Sequence, residues 1–557
     1  MRRPLGILVL TLSVFAVLAF LITSCGAAPT ATPVPQLAQP TATKPPAAAA
    51  TTAPAAAATA VPATPTKPPV TPTPAATSAG KVTIVLAEEL FTLEHFYAHG
   101  AVNYPAIRNI QEALLNRDPK TNEIVGDLAT KWEQVKPDTW RFTLRKDVKF
   151  HNGEPLESTG VAYGIERNYS KVLSSPMREF IGPEMTAKPV DPLTVDVVTE
   201  APDPILPLRL YFAPIPEMKW AKANPEEIPI KPVGTGPYKF VEWNRGQYLK
   251  LTANENYWGG APKIKDVTFV WRKESAVRAA MIKTGEGDMA RWITPSDCKP
   301  LPQCMSTPSV ETLFMRPDIS PLAPGAPNLL ADKRVRQAIS HAIDRKSIVD
   351  KILEGNGVPA SQLIGPFVNG FNPNLKPREF DKEKAKKLLA DAKAAGIKTD
   401  VPLTVFIRSG YIARISEAAE AVAAMLGDVG LAAKIQGVEA SVHRTTFRIK
   451  PMPGDRLALH LHGNEMGDAS ATTSKYMRGA TEISTYCNKD IEAEDAKASQ
   501  LVGEPRTKAY QALMAKLYEE EPTIPVAQLL FAYGATARLD WKPRLDGLIL
   551  VREMSLK

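Results

Sequence analysis

The stretch LTVFIRSGYIARISEAAEAVAAMLGDVGLAAKI, residues 403–435, decides the fold class of this chain. Residues 403–407 form the apolar run of a buried strand, 412–426 have the spacing of an amphipathic helix, and 431–435 have the pattern of a second strand. A strand, a crossover helix and a parallel strand are the repeating unit of an open α/β sheet. The sequence therefore predicts an α/β lobe in this part of the chain.

Further helices are predicted on both sides of this unit. Asp332 can cap a helix that runs to about residue 353, with Gly355 just past its end. Another helix fits 381–395, and the last one fits 507–520, before the prolines that follow it.

The first half of the chain is richer in short strands and turns. Residues 81–87 form an apolar run suited to a buried strand, and a helix is expected at 106–115. The segments 139–145, 194–199 and 267–271 alternate polar with apolar residues, as half-buried strands do. We therefore expect a first half made mainly of short strands and turns and a second half of the α/β type.

The composition argues against some classes of protein. The 557 residues carry 67 basic and 59 acidic side chains, and the net charge of +8 is spread without a strong cluster. A nucleic-acid-binding protein usually needs a concentrated basic face, so this charge pattern argues against that class. With 44% hydrophobic residues, the part after Gly80 can form two or three domains with substantial cores.

The N-terminus has the layout of a secretory signal peptide. Two arginines precede an apolar run at 5–22, and small residues follow it. The segment 21–25 resembles a bacterial lipobox, in which Cys25 becomes the lipid-carrying first residue of the mature chain. This interpretation predicts a lipoprotein signal peptide at 1–24 and a protein anchored by lipid on the extracytoplasmic face of the cell membrane. A membrane-spanning helix is the alternative, because the run is close to the length that crosses a bilayer.

Residues 25–80 are almost entirely alanine, proline and threonine. Such a segment has too few large apolar side chains to offset the entropy of ordering, so it is predicted to be disordered. Because proline favours extended conformations, the segment is expected to act as a semi-rigid tether. A threonine-rich stalk that carries sugars is the alternative interpretation.

The cysteines leave one question open. Cys298 and Cys304 enclose the short loop 299–303, which a disulfide could close in an oxidising exterior, or both thiols could be free. No CxxC pair or Cys/His spacing indicates a zinc site.

Several segments, taken together and in order, resemble the extracytoplasmic solute-binding proteins of ABC transporters, family 5, of the peptide- and nickel-binding type. The matching segments are LATKW at 128–132, DTWRFTLR at 138–145, VKFHNGEP at 148–155, PVGTGPY at 232–238, NYW at 256–258, KRVRQAIS at 333–340, AIDR at 342–345, NKDI at 488–491 and YEEEPTIP at 518–525. Within them, Gly234 and Gly236 suit a tight turn in which Cβ atoms would clash, followed by a strand from Tyr238.

The resemblance implies an α/β, two-lobed periplasmic-binding-protein type II fold with an extra N-terminal subdomain. We expect the first lobe at 81–305, with the subdomain at about 126–231, and the second lobe at 306–527. A C-terminal segment at 528–557 is expected to return to the first lobe.

The resemblance also implies a function. Lobe closure around a small polar solute, with a peptide as the main expectation, would bury that solute and present it to the permease subunits of an ABC transporter. Such a receptor needs no catalytic residues and no cofactor. We expect a monomer that is not an enzyme and that binds no nucleic acid.

The resemblance suggests which residues contact the solute. In peptide-binding relatives a carboxylate of the second lobe receives the amino terminus of the ligand, and Glu465 falls at the matching position. Asp468 lies at a nearby turn position, and Gly463 stands where the family usually has tryptophan. Apart from the resemblance, the candidates to stack on a ligand by residue type are Tyr104, Tyr411, Tyr486 and Trp243. The alternative is a place in a core, where buried aromatic side chains usually lie.

Two alternative functions remain from the sequence. His443, His460 and His462 could bind nickel or a metal chelate, because imidazole suits such ions, although spacing fixes no complete ligand set. A tethered extracellular hydrolase would need a nucleophile or a metal set, and the sequence has no GxSxG or HExxH motif.

Overall fold

The computed structural model describes residues 80–95, 103–169, 178–409, 412, 414–479 and 481–557. The predicted signal peptide, Cys25, the tether up to residue 79 and Tyr411 lie outside the described residues. Within the described residues, no helix is long and apolar enough to cross a bilayer.

The strands of the described residues are, in chain order, β1 (Lys81–Leu86), β2 (Leu115–Arg117), β3 (Ile124–Gly126), β4 (Ala129–Lys136), β5 (Thr139–Leu144), β6 (Met185–Asp191), β7 (Thr194–Thr199), β8 (Tyr238–Asn244), β9 (Tyr248–Ala253), β10 (Asp266–Trp271), β11 (Met289–Arg291), β12 (Gln303–Pro317), β13 (Gly357–Pro359), β14 (Leu403–Arg408), β15 (Ala433–Val438), β16 (Arg456–Gly463), β17 (Ile524–Ala535), β18 (Leu539–Asp540) and β19 (Ser555–Leu556).

The α-helices of the same residues are α1 (Tyr104–Ile110), α2 (Ser158–Arg167), α3 (Arg178–Ile181), α4 (Leu206–Leu210), α5 (Met218–Ala223), α6 (Ser275–Thr284), α7 (Pro295–Cys298), α8 (Lys333–Ala342), α9 (Arg345–Ser347), α10 (Lys382–Ala394), α11 (Ile415–Gly427), α12 (Ala440–Phe447), α13 (Ala469–Tyr476), α14 (Lys489–Ser499) and α15 (Gly503–Glu520).

One large sheet runs through both lobes. Its strand order is β15-β14-β16-β12-β17-β11-β1-β10-β9-β8, and β13 also pairs with β17. The first lobe contributes β1 and β8 to β11, and the second lobe contributes β14 to β16. Between them, β12 and β17 pair antiparallel along most of their length, so these two strands belong to both lobes.

A second, four-stranded sheet forms the extra subdomain. Its order is β4-β5-β7-β6 with antiparallel neighbours, and α2 packs against β6 and β7. The helix buries Val161 and Ile165 on its inner face. Together with the large sheet, this subdomain confirms the predicted α/β fold with an extra N-terminal subdomain.

The unit that decided the fold class is present as predicted. β14 pairs in parallel with β15, from Leu403 opposite Ala433 to Arg408 opposite Val438. The crossover helix α11 buries Val422 and other apolar residues in the core of the second lobe. The start of β14 is as predicted, and the other boundaries differ by one to three residues, as expected from an apolar pattern without strong caps.

The helix predicted from Asp332 to residue 353 is interrupted, so this prediction was wrong in its length. Asp332 does cap α8, because its side chain accepts a hydrogen bond from the backbone N–H of Arg334 at 2.8 Å. The helix ends at Ala342, and Asp344 then caps a new turn by accepting a hydrogen bond from the Ser347 N–H at 2.9 Å. A capping residue has non-helical backbone, so it ends the helix before it.

The C-terminal residues pack against the first lobe. β17 pairs with β11, with Ala535 opposite Met289. Beyond this strand, the Asn109 side chain on α1 donates a hydrogen bond to the Ile549 carbonyl at 2.8 Å and accepts one from the Val551 N–H at 2.8 Å. Both apolar side chains are fully buried, so the last residues of the chain complete the core of the first lobe.

Cys298 and Cys304 are joined by a disulfide bond, with their Cα atoms 5.3 Å apart. Cys298 ends α7 and Cys304 lies near the start of β12. The alternative that the sequence left open is therefore settled in favour of the bonded form.

The turn before β8 is as tight as its glycines suggest. A Cβ at Gly234 would lie 2.1 Å from the carbonyl oxygen of Ile110, and one at Gly236 would lie 2.5 Å from that of Asn109. Between them, the Thr235 hydroxyl donates a hydrogen bond to Glu112 at 2.9 Å. This motif fixes the packing of α1 against the sheet and lies outside the cavity described below.

Replacing Gly236 with alanine should lower the free energy of unfolding by about 2 kcal/mol, because the new methyl group would force backbone atoms apart. Gly160 in α2 is the matched control, since a Cβ there meets no atom within 4 Å and alanine favours a helix. Urea unfolding followed by tryptophan fluorescence measures both. Equal midpoints for the two variants would contradict the steric argument.

Candidate functional site

A cavity of about 970 Å³ lies between the two lobes. On the side of the first lobe its wall includes the proline-rich loop 199–205 of the subdomain and Trp292. On the side of the second lobe the wall includes residues of α12, of the end of β16 and of the whole length of α13. Ligand pockets commonly have roughly 300 to 1,000 Å³, so this cavity can enclose a solute of considerable size.

Glu465 lies in the cavity wall, in the turn between β16 and α13. Its carboxylate folds back over Gly463, since a Cβ at that glycine would lie 2.3 Å from both carboxylate oxygens. The missing side chain at Gly463 therefore makes room for Glu465. This is a physical reason for glycine at this position.

Arg117 on β2 connects the first lobe to this turn. Its guanidinium donates hydrogen bonds to the backbone carbonyls of Glu465 at 3.0 Å and Met466 at 2.8 Å. It also donates to the carbonyl of Asn122 at 3.0 Å and lies over the ring of Tyr211. The side chain is almost fully buried, so it holds the Glu465 turn against the first lobe.

Tyr104 begins α1 and lines a smaller chamber of about 50 Å³. Glu465 lines this chamber as well as the main cavity, so the structure brings these two predicted residues together. The Tyr104 hydroxyl is buried and has no hydrogen-bond partner among the described residues. Burial raises the pKa of Tyr104, so the phenol stays neutral.

Asp468 does not face the main cavity. Its carboxylate caps α13 by accepting a hydrogen bond from the Ser470 N–H at 3.0 Å, and it forms a bidentate ion pair with Arg506 at 2.7 and 2.9 Å. Burial alone would raise the pKa of Asp468, but the hydrogen bonds and charge of Arg506 outweigh burial and lower it. The residue lines a separate, more open groove of about 470 Å³, and its own bonds occupy the carboxylate.

Tyr486 packs in a core cluster of the second lobe with Tyr476 and Leu513. Its hydroxyl accepts a hydrogen bond from Asn488 at 3.2 Å, and it is absent from the residues that line the main cavity. A tyrosine in an apolar segment has the same pattern whether it packs in a core or faces a ligand, so the sequence could not distinguish the two. Tyr411, the remaining predicted aromatic, lies outside the described residues.

Glu311 on β12 is a cavity residue that the sequence reasoning missed. It lines both the main cavity and the small chamber, beside Glu465. Burial and the negative charge of Glu465 raise the pKa of Glu311 to about 7, and the positive charge of Arg291 offsets part of this increase. The sequence feature that could have indicated Glu311 is a single carboxylate within the mainly apolar segment VETLFM at 310–315.

The three histidines considered for the alternative metal-binding function lie together in the cavity wall. The rings of His443 and His460 stack with their centres 5.1 Å apart, and the Nε2 of His462 is hydrogen-bonded to Thr472 at 2.8 Å. Burial and nearby arginines lower the pKa of His443 to about 4, so its ring is neutral near pH 7. Among the described residues, no group of three or more His, Cys, Asp or Glu is placed to hold a metal ion. The imidazole rings therefore form an aromatic surface in the cavity wall.

Another part of the second-lobe wall is basic. Its basic residues are Arg408, Arg444, Arg448, Lys475 and Arg478. Arg448 donates a hydrogen bond to Glu482 at 3.0 Å and Arg478 donates one to Asp495 at 2.6 Å. Basic side chains outnumber acidic ones among the residues that line this part of the wall, which suits a carboxylate or another anion.

Two characterised binding proteins are similar to this chain in sequence. The dipeptide-binding protein of Escherichia coli (strain K12) is 29% identical over 349 residues, which cover 57% of this chain and 63% of that protein. The alignment thus spans less than two thirds of that relative. The glutathione-binding protein GsiB of Salmonella paratyphi A is 23% identical over 496 residues, which cover 84% of this chain and 93% of that protein.

A solved structure shows the same fold. The ABC transporter-associated periplasmic binding protein DppA from Helicobacter pylori, in complex with the peptide STSA, superposes with a TM-score of 0.73 at 22% sequence identity. The match covers 86% of this chain and 98% of that chain. In addition, the family model described as bacterial extracellular solute-binding proteins, family 5 Middle, matches residues 123–471. This chain therefore belongs to the bacterial extracellular solute-binding proteins of family 5.

Proposed function

We propose that this protein is an extracytoplasmic receptor that captures a peptide, or a similar small polar solute, between its lobes and delivers it to the permease of an ABC transporter. The observation that carries this proposal is the distribution of charge in the interlobe cavity. Glu311 and Glu465 make one region acidic, and α12 and α13 make another region basic. A peptide carries opposite charges at its two ends, and shielding from water strengthens both interactions.

The parts of the chain have separate roles in this proposal. The first lobe at 81–305, with its subdomain at 126–231, and the second lobe at 306–527 close on the solute, and residues 528–557 complete the first lobe. Glu465 and Tyr104 contact the solute. The protein acts as a monomer, and it performs binding without catalysis.

The proposal is tested by identifying what the protein binds. Mass spectrometry of small molecules carried through purification should find peptides, and a thermal-shift screen should then show stabilisation that grows with peptide concentration. Sugars and nickel chelates serve as the comparison classes in the same screen. Cleavage of the added peptides would instead favour a tethered hydrolase.

We also propose that Cys25 carries lipid and that 25–80 tethers the lobes to the membrane. Replacing Cys25 with serine should release the protein into the soluble fraction or leave the signal peptide uncut, because serine cannot take the thioether-linked lipid. Fractionation and immunoblotting of the variant and the unaltered protein measure both outcomes. Normal processing with full retention at the membrane would contradict the lipobox interpretation.

A further inference from the structure

A second open space adjoins the main cavity. It is the groove of about 470 Å³ that Asp468 lines, and both lobes contribute to its walls. The first lobe contributes the hairpin that joins β2 to β3 and, from the subdomain, part of α4. The second lobe contributes the loop 366–369 and the start of α15. Because its walls come from both lobes, the groove is complete only when the lobes are together.

A partition one side chain thick separates the groove from the main cavity. Pro204 and Ile205 of the subdomain loop and Arg506 of the second lobe line both spaces. The guanidinium of Arg506 is hydrogen-bonded within the second lobe at 2.7 to 3.4 Å, and Asp203 in the loop is hydrogen-bonded to Arg209 of the subdomain at 2.6 Å. The charges of Asp203 and Arg506 attract each other, but among the described residues no hydrogen bond joins the two sides. The partition therefore opens when the lobes move apart, and an extended chain can then be laid across it.

The lining of the groove suits an uncharged stretch of chain. Its charged residues are two basic and two acidic ones, so that their formal charges cancel; they are Arg117, Glu123, Asp468 and Arg506. Between them the wall is largely apolar. Phe367 is only partly buried, and Val502 is 48% exposed, so both can cover apolar side chains of a bound chain.

Asn122 adds a hydrogen-bond acceptor to this wall. It lies in the hairpin between β2 and β3, lines the groove and is 5% exposed. Its Oδ1 is buried and has no hydrogen-bond partner among the described residues. Buried acceptors are normally paired. A backbone N–H of a chain in the groove would supply the missing donor.

The two volumes can be expressed as lengths of extended chain. Such a chain has a cross-section of about 4.8 by 10 Å and rises about 3.4 Å per residue, so the main cavity of about 970 Å³ holds about six residues. The groove of about 470 Å³ has room for about three more. A longer peptide does not fit inside the closed lobes, and the open groove is the place where its remaining residues can leave.

We propose that the groove is a second binding subsite, which receives the continuation of a peptide whose first part fills the main cavity, and that the end of a long peptide projects from it into solvent. The closing lobes clamp such a chain at the partition of Ile205 and Arg506. The inference rests on the proposed function and deepens it, because the length of the solute is then not limited by the volume of the main cavity.

The first test uses the unaltered protein and a tryptic digest of casein. Unbound peptides are removed by gel filtration, and the complex is divided and treated with carboxypeptidase Y, with an aminopeptidase or with neither. Mass spectrometry then identifies the retained peptides. We expect retained peptides longer than about nine residues, which one of the two enzymes shortens until about nine residues remain. The same peptides free in solution should be degraded further.

The second test fills the groove from opposite walls with Val502→Trp or Thr121→Trp, because both side chains line the groove and are exposed. Calorimetry compares a retained long peptide with its synthetic form shortened to about six residues. Each variant should lower the affinity for the long peptide relative to the short one about tenfold, since the indole occupies space that the chain needs. Val358→Trp is the matched control, as Val358 is 53% exposed and lies outside both spaces, so this ratio should stay the same.

The outcomes separate the two proposals. If both ends of every retained peptide resist the enzymes, or if only peptides of up to about six residues are retained, the groove is not a subsite while peptide capture stands. An unchanged affinity ratio in both folded tryptophan variants would overturn the inference in the same way. Trimming needs no variant, so it decides the question even where a substitution prevents folding. If the unaltered protein retains no peptide at all, peptide capture fails and this inference fails with it.

Discussion

Replacing Asp468 with asparagine should lower the free energy of unfolding by about 3 to 5 kcal/mol, while the folded variant binds solute nearly as well as the unaltered protein. The reason is the bidentate pair with Arg506, in which both side chains are at most 4% exposed. Asparagine has a similar size and can still accept the hydrogen bond from the Ser470 N–H, but it leaves the guanidinium buried without a counter-charge. Denaturant unfolding and peptide titration measure the two effects separately.

The pH dependence of the free energy of unfolding gives a second measure of the Asp468–Arg506 pair. The pKa of Asp468 is lower in the folded protein than in the unfolded chain, where it is about 3.9. The stabilisation is therefore fully present above the unfolded value and is lost as the pH falls through the folded value. The unaltered protein should lose this contribution on acidification, whereas the asparagine variant has none to lose.

Asp400→Asn is the control, because this aspartate of the second lobe is exposed and forms no ion pair with any of the described residues. The double variant with Arg506→Met should recover part of the lost stability, since the unpaired charge is then removed. A large loss of affinity without a loss of stability would instead indicate that Asp468 contacts the solute.

Replacing Arg117 with methionine should weaken solute binding about a hundredfold. Two hydrogen bonds from the guanidinium hold the Glu465 turn against the first lobe, and hydrogen bonds to a charged group are worth about 1.5 to 3 kcal/mol each. Without these hydrogen bonds, the lobes are apart in a larger fraction of the ligand-free molecules. Apparent affinity falls in proportion to the fraction of molecules that can bind.

Calorimetry measures the affinity of the Arg117 variant, and small-angle X-ray scattering should show a larger radius of gyration in the ligand-free state. Arg245→Met is the matched control, because Arg245 is an arginine of the first lobe that stacks on Trp243 and donates one hydrogen bond to an exposed loop carbonyl. If Arg117→Met keeps both the affinity and the radius of gyration, Arg117 does not hold the lobes together.

More of the fold than of the site could be predicted from the sequence. The unit at 403–435 could be predicted from apolar periodicity alone. Burial of one helix face and of whole strands requires apolar residues at regular positions in the sequence. The break after α8 was missed because the apolar stripe continues through it. In the structure, the backbone of Ile343 is extended and Asp344 caps the next turn at Ser347, so the helix ends before them.

The site depends on contacts that sequence spacing does not encode. Glu465 was identified from a resemblance, and it lines the cavity. Glu311 is far from it in sequence, and only the register of β12 against β16 makes the two neighbours. Asp468 is a second acidic residue three positions after Glu465, yet its ion pair with the distant Arg506 gives it a structural role. Pairings between remote segments decide which acid is available to a solute.

The shared strand β17 has a consequence for the order in which the molecule can form. The first lobe needs β17 beside β11, and it needs Ile549 and Val551 beside α1, before its core is closed. These residues follow the whole second lobe in the chain, although most of the first lobe precedes it. The N-terminal lobe therefore cannot finish folding as an early independent unit, which is the usual order for consecutive domains. It must remain open until the second lobe and the residues up to Val551 have been synthesised, and removal of residues 548–557 should damage the first lobe.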